Sequence, residues 1–322
     1  MISIAEVEKI IPDDALLLFK KIFTPSIYNK ILLSLRTARI QTFRVNTLKS
    51  DKPAIMKGII NSKFKIKPIG LINGAFEFAG NLNSLLKSAM VTEGDIYLQS
   101  LSSMLPPIIL DPKHGDKILD IAAAPGSKCT QIAGLISNSG IIDAVEPDYI
   151  RSERLKYNIN VLGVNNINVH NTHGEKFYIN REKKYDKVLA DVPCSGEGRF
   201  TVFDKRSYCS WKLKDIKKFA KLQKKLLKSA IMSAKIGGVI VYSTCTLNLN
   251  ENEEVINDIL NDGDFRVEVL PIDNKYRVLE ESLEPFKKSD DNVFDLQIRK
   301  ALRIIPSARF EGFFICKMKR LA

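Results

Sequence analysis

From about residue 100 onward the chain alternates short runs of β-branched and apolar residues with longer segments of helical periodicity. This alternation constrains the fold more than any other feature. Strands linked by crossover helices bury both faces of a parallel sheet, giving a doubly wound α/β architecture. Strands are expected at Lys117–Ile121, Ile141–Val145, Ile167–His170, Lys187–Ala190 and Val239–Ser243. Helices are expected over about 128–136, 149–162, 215–235 and 252–260. In the third of these, Ile216, Phe219, Leu222, Leu226, Leu227 and Ile231 share an apolar face. Gly237-Gly238 is expected to end that helix, because glycine tolerates left-handed backbone. A less regular insertion, about 271–306, precedes a closing strand at 312–317.

Residues 1–100 follow another pattern and are expected to form a smaller α+β domain, with 101–322 as the larger one. Ile10, Leu16, Phe19, Phe23, Ile27, Ile31 and Leu35 recur at helical spacing, and Pro12 and Pro25 fall where helices start or stop. Two or three helices are expected before residue 40. Arg44–Lys49 reads as a short strand with a basic edge, followed to about Gly94 by strands and one helix around Gly70, Gly74 and Gly80.

Composition narrows the partners. At 322 residues and 45% hydrophobic, the chain can bury two cores. No apolar run reaches the roughly 18–20 residues of a membrane helix. Acids within MISIAEVEKIIPDD argue against a signal peptide. Five scattered cysteines, without a Cys-x-x-Cys pair, and three histidines off ligand spacing speak against disulfides and metal, so a reducing cytoplasm is expected. The net charge of +12 fits either a polyanionic partner or a lysine-rich solvated surface.

In an open parallel sheet, ligands bind beyond the carboxyl ends of the strands. Asp120–Lys128, sequence DIAAAPGSK, joins the first strand to its helix through small residues, which lets backbone amides approach a ligand. Glu146 ends the second strand, where an acid can accept from two ribose hydroxyls. Together they fit an adenosine-containing cofactor, and spacing leaves a nicotinamide cofactor and S-adenosylmethionine both open. Arg151 lies near the same pocket or is a solvated helix charge. At the fourth and fifth strand ends stand Cys194, in DVPCSGEG, and Cys245, in YSTCTLNLNENEE, each with polar neighbours suited to a thiolate. Cys129 and Cys316 sit in apolar patterns and read as packing residues, and Cys209 receives no role.

These three segments, in this order, resemble successive motifs of the Nop/Sun (RsmB/RsmF-type) RNA cytosine-5 methyltransferases. RVNTL at 44–48, QSLSS at 99–103 and the terminal EGFFICKMK are similar to that family too, so the resemblance spans about 40–322. It implies a Rossmann-like methyltransferase sheet, a smaller amino-terminal RNA-binding domain, S-adenosylmethionine as cofactor and ribosomal or transfer RNA as partner, with a monomer as default. Cys245 is implied as the nucleophile that adds to cytosine carbon 6, because thiolate addition makes carbon 5 nucleophilic. Cys194 is implied to assist loss of the carbon 5 proton and release of the enzyme. Asp191 is implied to hold the base at nitrogen 3 and the exocyclic amine, which requires a protonated carboxyl or a protonated base. Ala122, Ala123, Ala124, Pro125, Gly126, Ser127 and Lys128 are implied to line the cofactor's methionine end, with Asp191 close by and Glu146 on its ribose. Lys128 is expected to pair with Asp191 or with the cofactor.

The sequence departs from the family pattern at the third strand. His173 stands in Thr172-His173-Gly174 where an aspartate before glycine usually accepts from the adenine amine. A neutral imidazole accepts one hydrogen bond in that slot. The sequence ends straight after the closing strand, so recognition is expected from residues 1–100 and from basic segments such as 205–228. Two other readings stand beside the first. One is an RNA-binding assembly factor that keeps the fold without turnover, favoured by His173. The other is a DNA cytosine methyltransferase, disfavoured because no Glu-Asn-Val follows Cys194 while a Thr-Cys motif is present.

Overall fold

A computed structural model describes residues 2–51, 53, 55, 64–179, 184–289 and 292–322. Parts of the strand–helix alternation expected after Lys49, and of the insertion at 271–306, lie outside the described residues.

Three helices come first: α1 (Ile4–Ile10), α2 (Asp13–Ile22) and α3 (Pro25–Leu35). Ser3 and Glu6 form a reciprocal capping box on α1, which satisfies amide donors that the first turn leaves open. Pro12 caps α2 and Pro25 is the first residue of α3, where a missing N–H costs nothing. Their buried face, with Val7, Leu16, Phe19, Phe23, Ile31 and Leu35, packs on Phe200 and Leu247 from the far end of the chain, while Ile10 is exposed.

Next comes an antiparallel sheet of β1 (Gln41–Val45), β2 (Lys65–Pro68), β3 (Ala75–Ala79) and β4 (Ile96–Leu98), ordered β2-β3-β1-β4. Short helices α4 (Leu82–Leu86) and α5 (Ala89–Thr92) cover its own core of Phe43, Phe76, Phe78 and Ile96. The strand expected from Arg44 starts at Gln41, and Arg44 is not a basic edge. Its guanidinium is buried, donating to Gln99 Oε1 at 2.9 Å and Thr130 Oγ1 at 2.9 Å, which ties this sheet to the larger unit.

After helix α6 (Leu101–Leu110), the larger sheet carries β5 (Lys117–Asp120), β6 (Ile141–Val145), β7 (Ile167–His170), β8 (Tyr185–Asp191) and β9 (Ala234–Thr244), all parallel. β10 (Val267–Leu270), β11 (Ser282–Leu283), β12 (Leu302–Ile304) and β13 (Phe313–Arg320) add an antiparallel margin, giving the order β11-β12-β13-β9-β8-β5-β6-β7, with β10 on β13. Helices α7 (Ser127–Leu135) and α8 (Tyr149–Val161) join α6 on one face, and α9 (Leu213–Ser233) and α10 (Glu253–Leu260) cover the other. This is the doubly wound sheet read from the alternation. All five parallel strands and their helices stand where the sequence placed them, within a few residues.

A second expectation fails, at the end of α9. Helix α9 stops at Ser233, and Gly237-Gly238 lie inside β9. Ala234 already pairs with Tyr185, and Val239 next pairs with Lys187, so three extra residues bulge out. Gly237 takes φ +82°, and a side chain on Gly238 would sit 3.0 Å from the Tyr185 carbonyl. The glycines serve a bulge against β8, not a helix stop.

Candidate active site

The parallel strands all end at one edge, and a cavity of about 650 Å³ opens there. Asp120, Ala122, Ala123, Ala124, Pro125, Ser127 and Lys128 line one wall, Asp191 and Cys194 another, and Cys245 and Phe313 a third. The cavity thus gathers the ends of β5, β8 and β9. Gly126 turns the first loop with φ +105° and starts α7, while its Cα packs against α8, where a Cβ would meet Leu155 at 2.8 Å.

The two thiols meet. Cys194 Sγ and Cys245 Sγ are 3.3 Å apart, and the Cys245 backbone N–H donates to Cys194 Sγ at 3.3 Å. Their hydrogen bond, burial and the charge of Glu251 together push the Cys194 thiol well above its ordinary range, so Cys194 holds its proton. Lys128 and Arg199 both lie within electrostatic reach of the Cys245 sulfur. Cys129 and Cys316 are fully buried, and burial raises both thiols, as suits packing residues.

Asp191, the last residue of β8, accepts from Lys128 Nζ at 2.7 Å and from Ser243 Oγ at 2.7 Å. Burial of the Lys128 ammonium opposes its charge, but Asp191 outweighs that and its pKa ends above the ordinary value. Of the two partners foreseen for Lys128, the protein supplies Asp191. Asp120 lies deeper, 1% exposed, and is pushed up to about 7 by burial and then by Asp191.

Beside the first loop, two buried acceptors make no hydrogen bond among the described residues: Asp120 Oδ1 and Glu146 Oε2. Glu146, at the end of β6, accepts the Asp148 N–H through Oε1, and the Arg151 guanidinium stands 3.4 Å from Oε2. Arg151 also donates to the Ala124 carbonyl at 2.8 Å. Buried acceptors are normally satisfied, so these two carboxylate oxygens await a ligand's donors. Together with the alanine wall they fit S-adenosylmethionine, whose ribose hydroxyls and amino group are donors.

His173 is not brought into this group. Its ring is 77% exposed, 3.7 Å from Glu175, and borders a separate surface depression with Lys225 and Lys228. The physical reason is the short turn at Gly174–Lys176. Gly174 packs so tightly on β5 that a Cβ would lie 2.6 Å from the Ile121 carbonyl, which leaves the preceding side chain outside. The lysine run at 205–228 is partly neutralised: Lys224 pairs with Asp258, and Lys228 with Asp262 and Asp264.

A family model for 16S rRNA methyltransferase RsmB/F matches residues 107–319. The chain belongs to this family. RsmB/F proteins are methyltransferases, and S-adenosylmethionine, the cofactor that the resemblance implied, is the methyl donor of this family. Over 284 residues the chain is 34% identical to the tRNA (cytosine(49)-C(5))-methyltransferase of Pyrococcus abyssi, covering 87% of this chain and 88% of that protein. Over 287 residues it is 33% identical to ribosomal RNA small subunit methyltransferase F of Vibrio campbellii, covering 87% of this chain but 57% of that one. A crystal structure of a methyltransferase homolog protein from Pyrococcus horikoshii superposes with a TM-score of 0.78 at 30% identity, over 95% of this chain and 99% of that one. NSun6 from the same organism, solved with the S-adenosylmethionine analogue SFG, has a TM-score of 0.82 at 23% identity, covering 98% of this chain and 100% of its own, and shares the fold.

Several site residues escaped the sequence reading. Arg199, Glu311 and Phe313 line the cavity, and Glu197, Gln223, Asn248 and Glu251 form a buried polar cluster behind the thiols. Glu197 and Glu251 stand inside motifs already singled out, in GEG and NENEE, but only their burial marks them.

Proposed function

We propose that this RsmB/F member methylates carbon 5 of a cytidine in RNA through a covalent adduct between Cys245 and carbon 6 of the base. The observation that carries the reading is the pairing of Cys194 and Cys245, 3.3 Å apart at the mouth of a cavity that also holds the Lys128–Asp191 ion pair. Bound S-adenosylmethionine supplies the methyl group, with Glu146 and Asp120 offering its acceptors.

The chain's own residues divide the work. Cys245 is the nucleophile: Lys128 and Arg199 lie within electrostatic reach of its sulfur, and the S–H of Cys194 is available to it. Asp191, held by two donors, is placed as an acceptor: nitrogen 3 takes up a proton from solvent as Cys245 adds to carbon 6, and its N–H and an amine N–H donate hydrogen bonds to the carboxylate. Cys194, kept as a thiol, gives its proton to the Cys245 sulfur as that leaves carbon 6 and takes up the carbon 5 proton in its place, which restores the C5=C6 double bond. The RNA reaches the thiols through a second cavity, of about 900 Å³, lined by Arg39, Cys194, Arg199, Phe203 and Cys245. An unpaired or flipped cytidine fits such an entry at the least cost. The binding-only alternative rested on His173, and that side chain lies outside the cavity.

The test incubates Cys194→Ala protein with S-adenosylmethionine and total cellular RNA. A denaturation-resistant protein–RNA adduct mapping to Cys245 is the expected result, and sequencing the attached RNA identifies the target. An adduct on another cysteine overturns the roles. Full methylation by Cys245→Ala overturns the covalent mechanism.

A further inference from the structure

Behind the thiols, Glu197 and Glu251 are both fully buried, one from each cysteine-bearing loop, and both touch the Ser195 hydroxyl. Glu197 follows Cys194 and is fixed by Trp211 Nε1 at 3.0 Å and Asn248 Nδ2 at 3.1 Å. Glu251 follows Cys245 and is fixed by the Ser195 N–H at 3.0 Å, Gln223 Nε2 at 2.6 Å and Asn248 Nδ2 at 2.8 Å. Among the described residues no lysine, arginine or histidine pairs with either carboxyl.

Hydrogen counting shows what holds them together. Ser195 Oγ lies 2.8 Å from Glu197 Oε1 and closer still to Glu251 Oε1. Its single hydroxyl hydrogen can reach one of these oxygens. The other contact therefore needs a hydrogen from the carboxyl itself, or two acceptors would be pressed together in a dry site.

We infer that Glu197 and Glu251 share one proton, and that this proton clamps the two cysteine-bearing loops at their working separation. The clamp rests on the methyltransferase reading for its purpose but not for its existence. Burial and Glu197 push Glu251 up to about 7, and burial also raises Glu197, as two carboxyls in one low-dielectric pocket require. The charged and titratable groups around the pair do not supply a substitute cation. Cys194 is a neutral thiol, Tyr242 donates to the Glu251 carbonyl, and the Arg303 charge is taken by Glu253. Arg39 binds the Gly198 and Phe200 carbonyls. Loss of the shared proton leaves two like charges across Ser195, and they drive the loops, and with them Cys194 and Cys245, apart.

Phenylarsine oxide tests this without any turnover, because trivalent arsenic bridges two thiols only when they are close. Each As–S bond forms as the arsenic oxygen leaves as water, and thiolate attack normally makes this bridging faster as pH rises. In the wild-type protein, the bridging rate is expected instead to fall as pH rises through about 7. Glu197→Gln, left with one carboxyl and no like charge to repel it, should bridge at the ordinary rate that rises across that range. Bridging that rises monotonically in the wild type, or falls identically in Glu197→Gln, overturns the clamp. Infrared spectra on an Asp120→Asn background, which removes another buried carboxyl raised to about 7, supply a second readout: a carboxylic acid C=O band should be present at pH 6 and vanish above pH 8, and its absence at pH 6 overturns the shared proton even if Glu197→Gln misfolds. If the band and the bridging behave as stated but no RNA is methylated, the clamp stands and the proposed function falls. Where methylation is present, its turnover rate at saturating RNA should show the same alkaline fall in the wild type and lose it in Glu197→Gln.

Discussion

Gly198 shows how little room the thiol loops have. Its N–H donates to the Cys245 carbonyl at 3.0 Å, and its own carbonyl accepts from the Gly312 N–H at 2.8 Å. A Cβ there would collide with the Gly312 carbonyl and lie 2.8 Å from the Cys245 carbonyl. Gly198→Ala must therefore shift the Cys245 loop, and a shift near 1 Å costs about 100-fold in rate when reacting groups are pre-positioned. The expected outcome is methylation reduced by about that factor, with cofactor affinity unchanged because the β5 loop is untouched. Equal loss of cofactor binding in calorimetry would refute it. His173→Ala gives the opposite expectation: with its ring solvated, cofactor affinity should change less than about twofold, as surface substitutions usually do. Cys194, Cys245, Asp191 and Lys128 were legible from the sequence because few residue types can carry their chemistry at strand ends. Glu197 and Glu251 were not, since their meaning lies in a contact across 54 positions. His173 was placed by its neighbours in the chain, which fix position but not the direction of a side chain.

Elements were legible where their pattern was long. The parallel strands are buried on both faces and read as continuous apolar runs, and α9 carries its stripe over 21 residues. The margin of the sheet was not, because β11 has two residues and β12 three, too few to show any period. Yet β12 carries Arg303, which is fully buried. It donates to both oxygens of Glu253 at the start of α10, at 3.0 and 2.5 Å, and to the Leu247 carbonyl at 2.6 Å. One side chain thus ties the sheet margin, α10 and the Cys245 loop. Arg303→Met leaves Glu253 buried and unpaired, which costs about 3–5 kcal/mol. Urea denaturation should show that loss as a lower midpoint with unchanged slope. Adding Glu253→Gln should recover much of it, because neutralising both partners removes the stranded charge. A double variant no more stable than Arg303→Met would refute this account of the pair.

At the scale of the whole molecule, charge, groove and fold have to act together. The expected division at residue 100 falls between β4 and α6, but α1–α3 pack on Phe200, Leu247 and Trp211, so the first helices back the very loops that carry the thiols. The net charge of +12 was legible, and its target was not, because part of the lysine run is spent on Asp258, Asp262 and Asp264. The groove beside the thiols offers a clearer partner for RNA: Arg199, 64% exposed at the side chain, and Phe203, 58% exposed at the rim. Arg206 contributes less, since Asp204 holds it through two hydrogen bonds, at 2.9 and 3.0 Å. Arginine on phosphate and phenylalanine under a base leave different thermodynamic signatures. A phosphate contact releases counterions, so Arg199→Ala should flatten the slope of log affinity against log salt by about 1. Stacking releases none, so Phe203→Ala should weaken RNA binding by about 1–3 kcal/mol at every salt concentration and leave the slope intact. Fluorescence anisotropy with a single-stranded RNA at several salt concentrations separates the two. Parallel lines for all three proteins would remove Arg199 from the phosphate path, and a Phe203→Ala line coincident with wild type would remove the stacking platform.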